Sequence, residues 1–418
     1  MQLKVMDFRG SGTSPQSGKQ VSGPSATWAD FHAVLDPIYA GDPLYIYPLQ
    51  NDLEDIFSEK NAAFTRGQAR IWVAYSEAGK PIGRIAAFID PENIKIAELA
   101  VGGIGYFESI KDDSVADALF TAAEDWLREQ GMVVAEGPIN FGERDKFWGL
   151  LVRGWYRPIY QETYNPPYYR PWLEDRGYTP YEQSLTLRGR LDEVPAERLK
   201  RLGTSIKKRY NLITKRITKD KLREGADDFA AAYNAAFYEK PHFKPLTGEQ
   251  IYPSFVAMKP IMDTYLTCIA FEQDGTPVGL GGFVPDINGF MKGFKGKLNW
   301  RTLPIFLWRL KFQKARNFKG IALGVAPKYQ RRGLYALLSH ELYSEGDSHI
   351  LRVYENMELS TIRGHNDIMI ASCKAIGTNP HRIHLAYRKA LTPDAKWEAY
   401  NMIPEDEVDI GDLSFWEK

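Results

Sequence analysis

Seven residues, Gln330 to Ala336, read Gln-Arg-Arg-Gly-Leu-Tyr-Ala. They stand between an apolar run, Ile321 to Val325, and a stretch in which Leu334, Leu337, Leu338 and Leu342 recur at helical spacing. A strand that turns through a basic, glycine-containing loop into a helix aims unpaired backbone N–H groups and the positive end of the helix at one point, which suits a diphosphate. Gly333 lets backbone approach phosphate oxygens where a Cβ would obstruct, and Lys328, Arg331 and Arg332 add positive charge. A helix end alone attracts an anion by only about 0.3–1 kcal/mol, so several donors must converge before such a loop binds. The competing reading of the same residues is a basic surface turn that follows a strand.

The rest of the chain bounds what this loop can serve. A length of 418 residues suggests two or three domains. The 53 basic and 53 acidic residues cancel, which argues against nucleic acid as a partner and confines any basic function to local patches. Cys268 and Cys373 are far apart and form no metal-ligand or redox pattern, so no metal is expected and a reducing, cytoplasmic location is. Residues 1–27 hold Gly, Ser and Pro without the apolar core of a secretory signal and read as a flexible lead. No apolar run of about 18 residues predicts a membrane-spanning helix, although attachment at the inner face of a membrane stays open.

Two hairpin signals recur at a distance. Ile71–Tyr75 and Pro81–Ile89 flank Glu77-Ala78-Gly79-Lys80, while Leu266–Phe271 and Pro277–Val284 flank Gln273-Asp274-Gly275-Thr276. Each hairpin is followed by a strand and a helix, Gly102–Phe107 with Ser114–Gln130, and Ile321–Val325 with the helix of the opening loop. The first copy turns through Glu108-Ser109-Ile110-Lys111-Asp112-Asp113, acidic and free of glycine, where a phosphate would be repelled. The chain therefore reads as an internal repeat with one functional loop.

The lead-in Val325, Pro327, Tyr329 with Gln330 and Gly333 resembles the coenzyme A signature of the GNAT superfamily of N-acyltransferases, Q/R-x-x-G-x-G/A, with Tyr335 departing from the last position. The resemblance, of the tandem bacterial type that includes lipid-directed N-acyltransferases, spans nearly the whole chain. It implies an α+β fold of two tandem GNAT-like domains, each a mixed, mainly antiparallel twisted sheet flanked by helices: a lead over 1–27, a degenerate domain over 28–190, a basic connector over 191–224, a coenzyme-binding domain over 225–392 and a tail over 393–418. It also implies that Leu323, Gly324 and Val325 offer backbone groups to the pantetheine arm. Gln330, Arg331, Arg332, Gly333, Leu334, Tyr335 and Ala336 hold the pyrophosphate, and Asn366 contacts the arm or caps a helix. Acyl-CoA is then the co-substrate and a small or lipid amine the acceptor, in a monomer or a homodimer. The rival readings are a tandem-GNAT peptidyltransferase that takes aminoacyl-tRNA and a non-catalytic acyl-CoA or lipid-binding protein.

Acyl transfer to an amine calls for a neutral amine and a proton for the departing thiolate. A lysine-like amine costs about 4.6 kcal/mol to deprotonate at pH 7, so a positioned base is useful. Glu358 is the first candidate, because strand alternation over Met357–Ile362 would set it on one face with Ser360; Glu355, His340, His381 and His384 are weaker ones. Counting seven residues from Asn366, where many GNAT enzymes keep a proton-donating tyrosine, reaches Cys373, with Tyr354, Tyr387 and Tyr168 as substitutes. Two segments remain. The connector is rich in Lys and Arg, either a solvated helix face or a contact for adenosine phosphates or anionic lipid. Residues 299–319 place Trp300, Leu303, Phe306, Leu307 and Leu310 on one stripe among basic residues, as an ordinary packed helix or an interfacial one.

Overall fold

The computed structural model describes residues 1–6, 25–92, 99–239, 243, 245–343 and 349–417. Thirteen strands among them form one mixed sheet: β1 (Gln2–Val5), β2 (Gln68–Tyr75), β3 (Pro81–Ile89), β4 (Val101–Ser109), β5 (Val134–Gly137), β6 (Leu150–Arg153), β7 (Thr179–Arg190), β8 (Ile213–Lys215), β9 (Thr267–Phe271), β10 (Pro277–Pro285), β11 (Asn317–Val325), β12 (Asn356–Arg363) and β13 (Asn379–Ala390). The two hairpins are β2–β3 and β9–β10, turned at Gly79 and Gly275 with φ of 72° and 89°, a backbone region that favours glycine. The helix Asp113–Glu129 follows β4 as the helix Leu334–Tyr343 follows β11, each burying its leucine face on the sheet. The α+β architecture and the repeat are those the resemblance implied.

The strand order runs β1-β2-β3-β4-β5-β13-β7-β12-β11-β10-β9-β8, with β6 paired to β13 off this path. The halves thus trade their last strands: β13, from the end of the second, lies against β5 of the first, and β7, from the end of the first, lies against β12 of the second. β7 and β13 pair with each other down the middle, and the core is continuous across the boundary. Both halves are mainly antiparallel, with one parallel step each, β4 to β5 and β11 to β12.

Three further segments pack against this frame. The lead does not begin loose: Gln2–Val5 pairs antiparallel to β2, because Leu3 and Val5 alternate inward against the core. Most of the remainder of the lead, 7–24, lies outside the described residues. The connector contains the helix Ala196–Arg209, which is more than a solvated face: Leu199 is buried, and a Cβ added at Gly203 would come within 2.5 Å of His340 on the Leu334–Tyr343 helix. The tail straps the first half, through Arg170–Glu405 at 2.7 Å and Trp416 edge-on to Tyr39 and Tyr168, each at 5.9 Å.

Candidate active site

A short 3-10 turn, Pro327–Tyr329, carries the chain from β11 into the loop, where Arg331 and Gly333 take φ of 58° and 82°. Left-handed residues on either side of Arg332 bend the backbone sharply, the kind of turn that can bring successive amides to a concave, anion-binding face. Among the described residues, the N–H groups of Arg331, Gly333, Leu334 and Tyr335 have no hydrogen-bond partner, and Arg331, Arg332 and Gly333 are exposed. Four free donors at the start of a helix are what an anion needs. The mouth is open, and protein flanks it on one side: Ile206 of the connector helix would lie 2.9 Å from a Cβ at position 333. Beside it Tyr210 packs edge-on to Tyr329 at 5.5 Å, with Arg332 and Arg209 over the Tyr210 ring. Gln330 turns back, its amide donating to the carbonyl of Val325 at 3.3 Å, and Lys328 is held by Glu272 at 2.9 Å. Charge at the mouth therefore comes from the two arginines.

From this loop a gap leads along β11. The β11–β12 ladder holds only Asn317–Asn356, Phe318–Met357 and Lys319–Glu358; beyond it Gly320–Val325 pairs with β10 alone. Ile321 is an extra residue opposite β10, and such a bulge bends a strand out of its ladder. Leu323 and Val325 turn into the core, while Gly324 faces the helix Leu222–Phe237, whose Phe237 ring would lie 2.7 Å from a Cβ there. The parted strands leave backbone polar groups open to a ligand lying between them.

At the fork sits a charged cluster. Glu358 is buried, with one oxygen accepting from Asn317 at 3.1 Å and the other from Arg382. Arg382 also pairs with Glu162 at 2.7 Å. Burial works against the charged form of Glu162, but Arg382, His384 and the Thr186 hydroxyl together hold that carboxyl below its usual range. Lys319, read from the sequence among the basic residues of 299–319, is the last residue of β11 paired with β12; it is buried and donates to the Tyr160 carbonyl at 2.8 Å. Burial lowers its pKa and raises that of Asp286 nearby to about 7. Of this cluster only Glu358 was a candidate from the sequence, because its partners Arg382, Glu162 and Asn317 lie far apart in the chain.

The remaining candidates are dispersed. The Tyr354 hydroxyl donates to Asp263 at 2.9 Å, and burial followed by that carboxylate keeps it protonated far above its ordinary range. Glu355 lies beside Arg316, His381 stacks on Tyr156 at 4.2 Å, and His384 bonds the Thr163 carbonyl at 2.9 Å. Asn366 caps its helix, accepting from Met369 N–H at 3.2 Å. Cys373 is buried on that helix, its thiol pushed up to about 12. Tyr335, half-buried, is also pushed up to about 12, chiefly by burial and in small part by its nearness to Cys373. The loop and the helix of Asn366 thus converge on this pair.

The corresponding place in the first half is shut. Asp112 takes the amides of Ser114 and Val115 at 2.9 and 3.4 Å, so a side chain already serves the helix mouth. Tyr169 bonds Glu108 at 2.9 Å and receives the Ser109 amide at 2.7 Å, and the Tyr168 hydroxyl reaches the Ser109 carbonyl at 3.2 Å. Aromatic rings also close the end of β4, beside the acidic turn from which a phosphate was expected to be repelled. Among the described residues no group of three His, Cys, Asp or Glu side chains could hold a metal ion, and no helix is long and apolar enough to cross a membrane.

No family model matches the chain. It is 26% identical to the bacterial ceramide synthase of Caulobacter vibrioides and 28% identical to protein YghO of Escherichia coli. Each match covers 86% of this chain, with 94% and 92% of those proteins. Among solved structures it is similar to the GCN5-related glucosamine N-acetyltransferase region of a fungal multi-domain GH3 β-N-acetylglucosaminidase. That match has 13% identity and a TM-score of 0.51, covering 93% of this chain and 38% of that one. The likeness shows a GNAT fold.

Proposed function

We propose that the chain is an acyl-CoA-dependent N-acyltransferase, with the coenzyme in its second half. The observation that carries this reading is the loop: four unpaired amides and two arginines at an open helix mouth, continuous with the gap between β11 and β12. A diphosphate fits the first feature, and the pantetheine arm, which presents amide groups, fits the second. The acyl carbon then comes to rest towards the fork, where β12 and the first half supply the walls. The amine nitrogen attacks the thioester carbonyl, the C–S bond breaks, and the amine's proton is lost as the thiolate gains one.

In this scheme Glu358, with both oxygens engaged, holds the strands where they part, and Tyr354 secures the start of β12. In this reading Tyr335, on the helix that opens at the loop, is the candidate that returns a proton to the sulfur, Cys373 packs behind it, and solvent takes the amine's proton. The acceptor class rests on the Caulobacter relative: a ceramide synthase joins an acyl chain to a sphingoid amine, so a lipid amine and a long acyl chain are the first to try. Each buried methylene of such a chain adds about 0.8 kcal/mol to binding.

Thiol release measured with acyl-CoA of graded chain length against a panel of sphingoid and small amines tests the reaction, and calorimetry with coenzyme A tests the site. We expect turnover with at least one amine and loss of coenzyme binding in Gly333→Glu, where both the cavity and the charge oppose it. Unchanged affinity in that variant would remove the site. Coenzyme binding without thiol release from any amine would favour a non-catalytic acyl-CoA-binding protein, a reading to which the engaged oxygens of Glu358 lend weight.

A further inference from the structure

The helix Thr302–Phe312 turns Phe306 and Leu310 inward, onto Ile287, Phe290 and Ile46, and so anchors itself across the two halves. The stripe expected from the sequence splits here: Trp300, Leu303 and Leu307 point the other way, joined by Ile305, Trp308 and Phe312. Trp300 is 77% exposed, Phe312 63% and Trp308 56%. Seven of the seventeen large apolar side chains exposed among the described residues fall between Leu298 and Phe312. A helix apolar on every side is buried in most proteins, and this one has only one side covered.

The charge around it is one-signed. From Ile287 to His340 the sequence contains no Asp or Glu and twelve Lys or Arg. Lys292, Lys297, Arg301 and Lys311 have no ion pair among the described residues, and Arg301 and Lys311 lie over the rings of Trp300 and Phe312, at 4.8 and 5.3 Å. Aromatic side chains bracketed by unpaired cations suit the headgroup region of an anionic bilayer, where rings sit at the interface and long basic stems reach outward to phosphates. A second copy of the chain is a poorer occupant, because a two-fold contact would set these like charges against each other.

We infer that the outward face of Thr302–Phe312, with Trp300 before it, docks the protein on the surface of an anionic membrane. The helix leads through Asn317 into the paired end of β11, opposite the end that carries the loop. A docked face therefore lies towards the end of the gap where the acyl group would rest, and an acceptor dissolved in the bilayer would approach from that side. This last point rests on the acyl-transfer reading; the docking itself does not.

The test is co-sedimentation of the full chain with vesicles of phosphatidylglycerol and phosphatidylcholine, beside vesicles of phosphatidylcholine alone. The triple variant Trp300→Ala, Trp308→Ala, Phe312→Ala removes exposed side chains and should melt as the parent does. The pair Arg301→Glu, Lys311→Glu reverses charge without touching the core. We expect binding to the anionic vesicles that weakens with added salt, and a loss of at least about ten-fold in either variant. Absence of binding by the parent protein, equal binding by the triple variant, or a dimer that the triple variant dissolves with no vesicle binding would each overturn the inference. Coenzyme binding measured on the same samples reports on the acyl-transfer reading separately.

Discussion

Gly333 concentrates the local demands of the loop. Its φ of 82° costs any side-chain-bearing residue about 1–2 kcal/mol, and Ile206 stands 2.9 Å from where a Cβ would be. Gly333→Ala should therefore lower stability in urea by about that amount and weaken coenzyme A binding. Adding Ile206→Ala should recover the steric part and leave the backbone part; full recovery would mean that the conformation is not constrained. A second residue-scale prediction concerns Glu108, buried beneath Tyr39 and Tyr169, whose pKa burial lifts to about 7 against a partial pull from Arg84. A carboxyl raised above its unfolded value of 4.5 contributes stability that is whole below that pH and is lost as pH rises through about 7. Glu108→Gln should shrink the difference in unfolding free energy between pH 5 and pH 8 by up to about 3 kcal/mol, and an unaltered pH profile would refute the burial effect. The loop glycine and its arginines were legible because local spacing creates them. The engagement of Glu358 was not: alternation assigns a face, whereas Arg382 and Glu162 reach that face only after the strands have traded places.

Strand β12 shows how an element can be recognised and its use missed. The residues from Met357 to Ile362 form a strand, as the periodicity predicts, but a bulge after Leu359, with Thr361 at φ 58°, interrupts the alternation that would set Glu358 on one face with Ser360. What the pattern could not carry is the arrival of β7 on one side and the early parting of β11 on the other. With Arg382 tied to both Glu358 and Glu162, the carboxylate sits in a buried network whose loss leaves a guanidinium short of charge. Breaking such a pair costs about 3–5 kcal/mol, so Glu358→Gln should lower stability by an amount of that order in urea unfolding. If Glu358 instead supplied catalytic base, the variant that remains folded would lose turnover by about a hundredfold or more. Turnover within a few-fold of the parent, at a temperature where the variant is folded, agrees with a purely structural carboxylate. The helix Thr302–Phe312 likewise took its orientation from its surroundings. Its sequence announced an apolar helix, but which residues faced out depended on where β11 and the first half offered a surface.

At the scale of the molecule, the exchange of β7 and β13 binds the fate of one half to the other. Two closed domains joined by a linker would each keep a complete sheet when separated, and the repeat in the sequence invites that expectation, since hairpin and helix signals say nothing about which strand completes which sheet. Here a cut between Asp192 and Glu193 would strip β13 from β5 and β7 from β12, exposing two apolar strand edges in the middle of the core. Unpaired edges of that kind template aggregation. The fragments 1–192 and 193–418, expressed apart, should each be insoluble or lack a cooperative thermal transition. Expressed together they should co-purify as a 1:1 complex that elutes with the full chain, since the noncovalent sheet can still close. The tail adds a check, because Arg170–Glu405 and the packing of Trp416 tie the second fragment's end to the first; removing residues 403–418 should weaken the complex without abolishing it. A fragment that folded alone with two-state unfolding would show that the exchange is dispensable, and that the second half could hold its site without the first.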